Sequence, residues 1–421
     1  MRSRPSLFTY ARIPTYVFVF LFLAACAFAG GPKEKAIWTF PVSATSIFSL
    51  VADDAGNLYA VASKNNLQCP CGSAYELSPP SAGDGEWTVT ELHVFQGGTD
   101  GGGPTGSLII DKKGNLYGPS EYPDTIFELS PPASPGGSWT ETSLFAFDPS
   151  GMNGSIPWGR MAMDEDGNLY GTTLYGGLYG GGVVFELVTP KMSGGLWQER
   201  VLHNFGAGRD GIEPYTDLLL RGGILYGTTM GGGTGDKRNC LNALCGTVFQ
   251  LTRKPGAWTE TILHSFNGSD GFGPHGGLVE DDAGNLYGTT FAGGAGDSGT
   301  VYELSPPAVA NDPWQTTTLY NFTGKADGAL LYAGLVRNKL GNLYGTATAG
   351  GTGKAGSVFE LKPPSVPGGI WTFVIVHNFS FKRISDGVSP FSPLFFADGG
   401  IYGTTEGVLG TSGGVVFSIV P

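Results

Sequence analysis

Apolar residues in this chain come in runs of four to seven, broken by glycine and polar turn residues, and the runs recur in a fixed order. The most regular run carries the phrase Gly-Asn-Leu-Tyr-Gly-Thr-Thr or a relative of it. Its tyrosines are Tyr59, Tyr117, Tyr170, Tyr226, Tyr287, Tyr344 and Tyr402, spaced by 58, 53, 56, 61, 57 and 58 residues. A glycine-rich stretch follows each, then a second run such as Val184–Leu187 or Val301–Leu304. Next come a tryptophan (Trp87, Trp139, Trp197, Trp258, Trp314, Trp371), a run ending in Phe, and a loop containing Asp-Gly. A short apolar segment then leads back into the phrase. Val, Phe, Tyr, Leu and Thr dominate the runs, and these residues suit a pleated, half-buried surface. Sustained helical periodicity is missing. Each unit is therefore predicted to be a four-stranded antiparallel meander, and repeated units must stack to bury their faces.

The chain ends predict how the stack closes. The seventh unit stops after its third run, Val416–Ile419, while the N-terminal region carries an extra run, Ala36–Phe40. Trp38 reads as the displaced seventh member of the tryptophan series. If this run supplies the missing strand, the array is a seven-bladed β-propeller, all-β, with no long exposed sheet edge. One domain is expected over residues 30–421, with repeats of about 57 residues. A monomer is expected.

Composition supports this organisation. Gly is 70 of 421 residues, about twice the usual ~7%. Charged residues are 14%, against about 25% in an ordinary globular chain. Residues 1–29 stand apart as a signal peptide: Arg2, Arg4 and Arg12 precede the 14-residue apolar stretch Tyr16–Ala29. That stretch is shorter than the ~20 residues a bilayer span needs. Ala27-Phe28-Ala29 fits ordinary cleavage, and Leu23-Ala24-Ala25-Cys26 fits a lipoprotein signal, with Cys26 as the lipidation candidate. Export to the periplasm, cell surface or medium is expected. Without those three arginines the formal charge moves from −12 to about −15, which argues against nucleic acid as a partner. Cysteine usage fits an oxidising compartment. Cys240 and Cys245 would close a local disulfide; Cys69 and Cys71, separated by one proline, are weaker candidates.

The unit GNLYGTT … GG … GTVFEL … W … LHxF … DG … GL resembles the GloVer (Gloeo/Verruco) tandem repeat over roughly residues 36–421. The resemblance implies an exported bacterial protein, often anchored at the surface. It carries no established reaction and so lends no catalytic residues.

Candidate chemistry is sparse. Four of the five histidines, His93, His203, His264 and His377, share one repeat position, where Phe145 and Tyr320 also stand, so they read as packing groups. His275 falls outside that series and is placed near the mouth of the ring; Trp158 also breaks the pattern. The recurrent acids of the third run (Glu76, Glu128, Glu186, Glu303, Glu360) are too far apart for paired-carboxylate chemistry. Asp54, Asp111, Asp164 and Asp282, before the repeated tyrosine, read as turn residues and not as a calcium loop. The Asp-Gly loops are the ligand-binding candidates: Asp100, Asp210, Asp270, Asp327 and Asp386, together with His275. The junction around Trp38 lacks such a loop, with 21 residues to Tyr59 against 29–31 elsewhere, and a cleft is expected there. No GxSxG, phosphate-loop or HExxH motif occurs. No catalytic residue, metal or cofactor is assigned. The expected role is a noncatalytic binding or interaction module for glycan or protein. The alternatives are a structural envelope protein and a polysaccharide lyase or hydrolase acting through its loop face.

Overall fold

A computed structural model describes residues 33–420, apart from 42–43, 49, 65–71, 82–84, 135, 193, 236–239, 241–244, 310–311, 367, 398 and 409–412. The signal segment, Cys26, Cys69 and Cys71 lie outside the described residues. Residues 32–421 form one compact unit. Seven four-stranded antiparallel sheets follow one another along the chain as the blades of a β-propeller. The fifth blade is representative: Val279–Glu280 innermost, then Leu286–Thr290, Thr300–Ser305 and, outermost, Gln315–Asn321. In the last blade, Phe395–Ala397, Gly400–Thr405 and Val415–Val420 are completed by the N-terminal strand Lys33–Thr39. The ring closes as the displaced run predicts.

Trp38, however, does not continue the tryptophan series. Lys33–Thr39 pairs with its neighbour so that Glu34 faces Ile419, Ala36 faces Phe417 and Trp38 faces Val416. In the second blade, Glu141 faces Leu129, Ser143 faces Phe127 and Phe145 faces Ile126. Trp38 thus stands where other blades place His93, Phe145, His203, His264, Tyr320 or His377. A bulge just before this position recurs in the outer strands, and it carries the register. Held at the strand edge, Trp38 remains 40% exposed.

The terminal Phe of each outer strand explains why the unit must repeat. Its ring packs edge-on or tilted against the third-strand aromatic of the next blade, as in Phe95–Phe127 (4.8 Å), Phe205–Phe249 (5.1 Å) and Phe379–Phe417 (5.2 Å). The closing seam repeats the contact with Phe40 and Tyr75 at 4.9 Å. Such a pair contributes about 0.5–1.5 kcal/mol beyond the area it buries. The tryptophans bind blades from outside: Trp139 packs on Tyr59, Trp258 on Tyr170 and Trp371 on Tyr287 of the preceding blade.

The phrase itself is explained by close approach. A Cβ on Gly227 would lie 2.6 Å from Cζ of Phe249, and one on Gly118 2.6 Å from Cζ of Phe127. Glycine in the second strand therefore makes room for the third-strand ring. The Asp-Asn turn before the phrase is a hydrogen-bonded lock. Asp164 Oδ1 accepts the amides of Asp166 and Asn168, and Oδ2 accepts Asn168 Nδ2 and the Tyr170 hydroxyl. In the first and fifth blades the accepting acids are Asp53 and Asp281, one residue before the Asp54 and Asp282 expected.

Candidate functional site

The expected ligand acids are held at the outer-strand ends of their own loops. His93 Nε2 lies 2.8 Å from Asp100, His203 Nε2 3.0 Å from Asp210 and His264 Nε2 2.8 Å from Asp270. The Tyr320 hydroxyl donates to Asp327 at 3.2 Å. Loop amides of Gln96, Asn267 and Thr323 close on the Asp100, Asp270 and Asp327 carboxylates at 2.8, 3.0 and 2.8 Å. Asp386 lies beside Arg383 and accepts from Ser385 Oγ. His93, His203 and His264, read from sequence as packing, are thus also clamps on these loops, whereas His377 Nε2 is buried with no hydrogen-bond partner.

A glutamate from the following blade enters three of these seams. Glu260 is pushed to about 7 by burial and then by Asp210. Glu141 reaches about 7 by burial and then Asp100, and Glu34 about 7 by burial and then Asp386. His203, Asp210 and Glu260, and likewise Glu34, His377 and Asp386, bring ligand-type atoms within 4.8 Å of one another, so they have the donor set for a metal ion. The clamp does not need one. At the seam after His264 the glutamate is replaced by Thr316, which bonds His264 Nδ1 at 2.9 Å while the His264–Asp270 pair persists.

These glutamates are 4.5 in an ordinary setting and hold their proton more tightly when folded. Their contribution to stability is full below the unfolded value and is lost as pH rises through about 7. The domain should melt at a higher temperature near about pH 5 than near about pH 8. The double variant Glu141→Gln, Glu260→Gln should flatten that slope in a pH series of thermal melts.

A different constellation lies at the propeller axis. As a blade is entered from the preceding outer strand, one residue points toward the mouth of the axis: Phe48, Trp158, Tyr215, His275, Tyr332 and Phe391, with the buried Thr105 at the equivalent place in the second blade. The six rings are all half-buried and form one chain of contacts. Trp158 stacks on Tyr215 at 5.0 Å and meets Phe48 edge-on at 5.8 Å. His275 lies 5.3 Å from Tyr215 and 5.1 Å from Tyr332, which meets Phe391 at 4.8 Å. They surround a pocket of about 50 Å³.

Local backbone geometry explains why these side chains converge. Two residues before the ring, the chain turns left-handed: φ is 54° at Ile156, 57° at Glu213, 59° at Leu330 and 50° at Ser389. Non-glycine residues there cost about 1–3 kcal/mol each and persist only when their surroundings impose them. Here the imposition is hydrogen bonding between blades. Glu213 N–H donates to Gly181 of the preceding blade at 2.9 Å, and its carbonyl accepts from Met230 at 2.9 Å. Ser389 does the same with Ala355 (2.8 Å) and Glu406 (3.3 Å). Proline usually follows, at 104, 157, 214, 274 and 390, with no amide hydrogen to pair with a strand. After the axial residue comes a small one, because blades meet backbone to backbone: a Cβ on Gly106 would lie 2.8 Å from the carbonyl oxygen of Gly159.

The repeated threonines seal this inner layer. Thr289 Oγ1 donates to the Ala333 carbonyl at 2.8 Å, and Thr228 Oγ1 to those of Pro274 (3.3 Å) and Gly276 (3.4 Å). At the closure, Thr404 Oγ1 and Ser392 Oγ donate to the Ile47 carbonyl at 3.0 and 3.1 Å. The cleft expected at the short junction is therefore shut at the axis, where Phe48 joins the ring.

His275, picked out in the sequence as irregular, is a regular member of this axial series. Its Nδ1 is shielded and has no hydrogen-bond partner, and burial lowers its pKa to about 4. It is a neutral ring packed on Tyr215, Phe291 and Tyr332. The expected bridge Cys240–Cys245 is formed, with Cα atoms 5.2 Å apart. It buttresses this site: Cys245 packs with Phe272, and its carbonyl accepts the Gly273 amide at 3.0 Å, two residues before His275. The sequence signal for the site was the bulky residue after proline, Ile47 or Leu331 and before a small one. It was obscured because the residue's identity changes from blade to blade.

The Gloeobacter/Verrucomicrobia repeat model matches residues 39–241 and 238–421, nearly the whole described chain. The chain belongs to the Gloeobacter/Verrucomicrobia repeat family. No curated protein matches it. Solved structures similar to it include a PL25 ulvan lyase bound to a GlcA–Rha3S unit, at 10% identity and TM-score 0.50 over 91% of this chain and 95% of that one. A luciferin-regenerating enzyme is similar at 12% identity and TM-score 0.45, over 93% and 96%. Drosophila Plexin A in complex with Semaphorin 1b is similar at 8% and 0.46, over 92% and 87%. Likeness at these identities concerns the fold alone.

Proposed function

We propose that this protein is an exported binding module whose ligand site is the aromatic mouth of the axis. The observation that carries the reading is the set of six half-buried rings kept at one repeat position, four of them two residues after a strained, left-handed non-glycine hinge. Fold stability does not require large apolar side chains to converge on a partly open mouth, and exposed apolar clusters mark interaction sites. The seam acids support a non-catalytic role, since their carboxylates are engaged by His, Tyr and loop amides of their own blades. Export is supported by the basic and apolar N-terminal segment and by the Cys240–Cys245 bridge. The ligand is then met outside the cytoplasm, as part of a glycan or a protein.

The test is a glycan and peptide array screened with the purified mature domain, beside a panel of glycosidase and lyase substrates. Binding that disappears in Trp158→Ala, at unchanged melting temperature, is the expected result. Turnover of a polysaccharide would replace the binding reading with a catalytic one. Binding that is indifferent to Trp158 would move the site elsewhere.

A further inference from the structure

We infer that the group seated in the axial mouth is an alkylammonium cation, protonated or quaternary. The inference rests on the binding reading above and names its chemistry from size, wall and charge. A volume of about 50 Å³ holds about four water-sized groups, taking ~10–15 Å³ for each. A nitrogen with three attached carbons fills that space, and a larger group would extend out through the open mouth.

The wall offers π faces beside polar groups, among them Asp217, Ser107 and Ser392. Trp158, Tyr215, Tyr332 and Phe391 are the best cation acceptors among side chains when a cation reaches their faces. The lining carbonyls of Gly276 and Ala333 already accept from Thr228 and Thr289.

No lysine or arginine lines the pocket, and its one charged side chain, Asp217, accepts the Arg160 amide at 2.6 Å and lies 3.9 Å from the Arg160 guanidinium. Three glutamates belong to the hinges. Glu213 is itself a hinge, and the amides of Glu121 and Glu406 donate to the hinge carbonyls of Gly103 and Ser389. Burial raises the Tyr215 and Tyr332 hydroxyls, and the Glu121 and Glu406 carboxylates add to it at Tyr215 and Tyr332 respectively. Among the described residues, Glu213 and Glu406 have no basic partner, and burial holds both above the usual carboxylate range. His275 stays neutral, so it neither repels a cation nor neutralises these acids. A bound ammonium would supply the missing counter-charge, whereas an anion would add to it.

The inference is tested by NMR or calorimetric titration of the mature domain with tetramethylammonium, choline, butylamine and the uncharged carbon isostere of choline, 3,3-dimethylbutan-1-ol. At least one cation should bind, with the isostere about tenfold weaker or more. A preference for choline would point to quaternary head groups, and one for butylamine to lysine side chains. Trp158→Ala and Tyr332→Leu should each weaken binding with no fall in melting temperature. Glu213→Gln with Glu406→Gln should weaken the cations and leave the isostere unchanged. Equal binding of cation and isostere would overturn the inference. So would silence of all four probes while an array ligand still depends on Trp158, and in that case the binding reading stands. If neither the probes nor any array ligand depends on Trp158, both readings fall.

Discussion

Deleting Lys33–Phe40 is expected to abolish the cooperative fold of the whole domain, not to fray one blade. The segment supplies the outer strand of the last blade, paired along Val415–Val420, and it supplies Phe40, which is 2% exposed and packs on Tyr75 of the first blade. Without it, the apolar run Val415–Val420 becomes a free sheet edge, a template for aggregation. The first and last blades also lose the aromatic seam that every other pair of neighbours keeps. The measurement is the thermal transition and the soluble fraction of the truncated chain. Moving the segment to follow residue 420 through a short turn should restore the transition, because Lys33 and Val420 are register partners. A truncated chain that melts like the parent would show that the ring does not depend on this strand. A permuted chain that stays unfolded would show that the strand acts through more than its place in the sheet.

Gly227→Val should be the most damaging single substitution in the repeated phrase. The new Cβ would sit 2.6 Å from Phe249 Cζ and 3.0 Å from Leu218 Cδ2, and Phe249 has no exposed surface into which to retreat. Overpacking of this kind costs about 1–3 kcal/mol, and the upper end is expected here because both neighbours are core side chains. Adding Phe249→Leu should recover part of the loss in denaturant unfolding. The first blade already contains the compensated arrangement. Ala60 stands at the glycine position opposite Tyr75, whose ring reaches the edge of the core and whose hydroxyl donates to Glu91 at 3.1 Å. The fifth blade offers a control of opposite sign. Tyr302 buries a hydroxyl with no partner where other blades have Phe, so Tyr302→Phe should stabilise by about 1 kcal/mol. Equal stability of Gly227→Val and the parent would mean that the third-strand rings are not the reason for the glycine.

Much of the fold was legible in the sequence because blades are made of local events. The tyrosine spacing, the glycine-rich returns and the terminal Phe each act within one meander or across one seam, so periodicity exposes them. The register of the closing strand was not legible. Trp38 resembles the tryptophan series by residue type, but register follows the recurrent bulge and the terminal Phe40, and these put Trp38 at the histidine position. The candidate acids divided along the same line. Their sequence showed loops rich in Asp-Gly; it did not show that His93, His203 and His264, at the far ends of those loops, would take up the carboxylates.

By itself the sequence determined an all-β array of seven units, the split unit that closes it, the family to which it belongs and the bridge Cys240–Cys245. Tertiary structure alone decided which residues face one another across the axis. Phe48, Trp158, Tyr215, His275, Tyr332 and Phe391 are of four residue types and lie roughly one repeat or more apart in the chain. Five of them lie two residues after a left-handed hinge, and at Glu213, Gly273 and Ser389 the hinge amide is held by a carbonyl of the preceding blade, a bond that exists only when the two blades pack together.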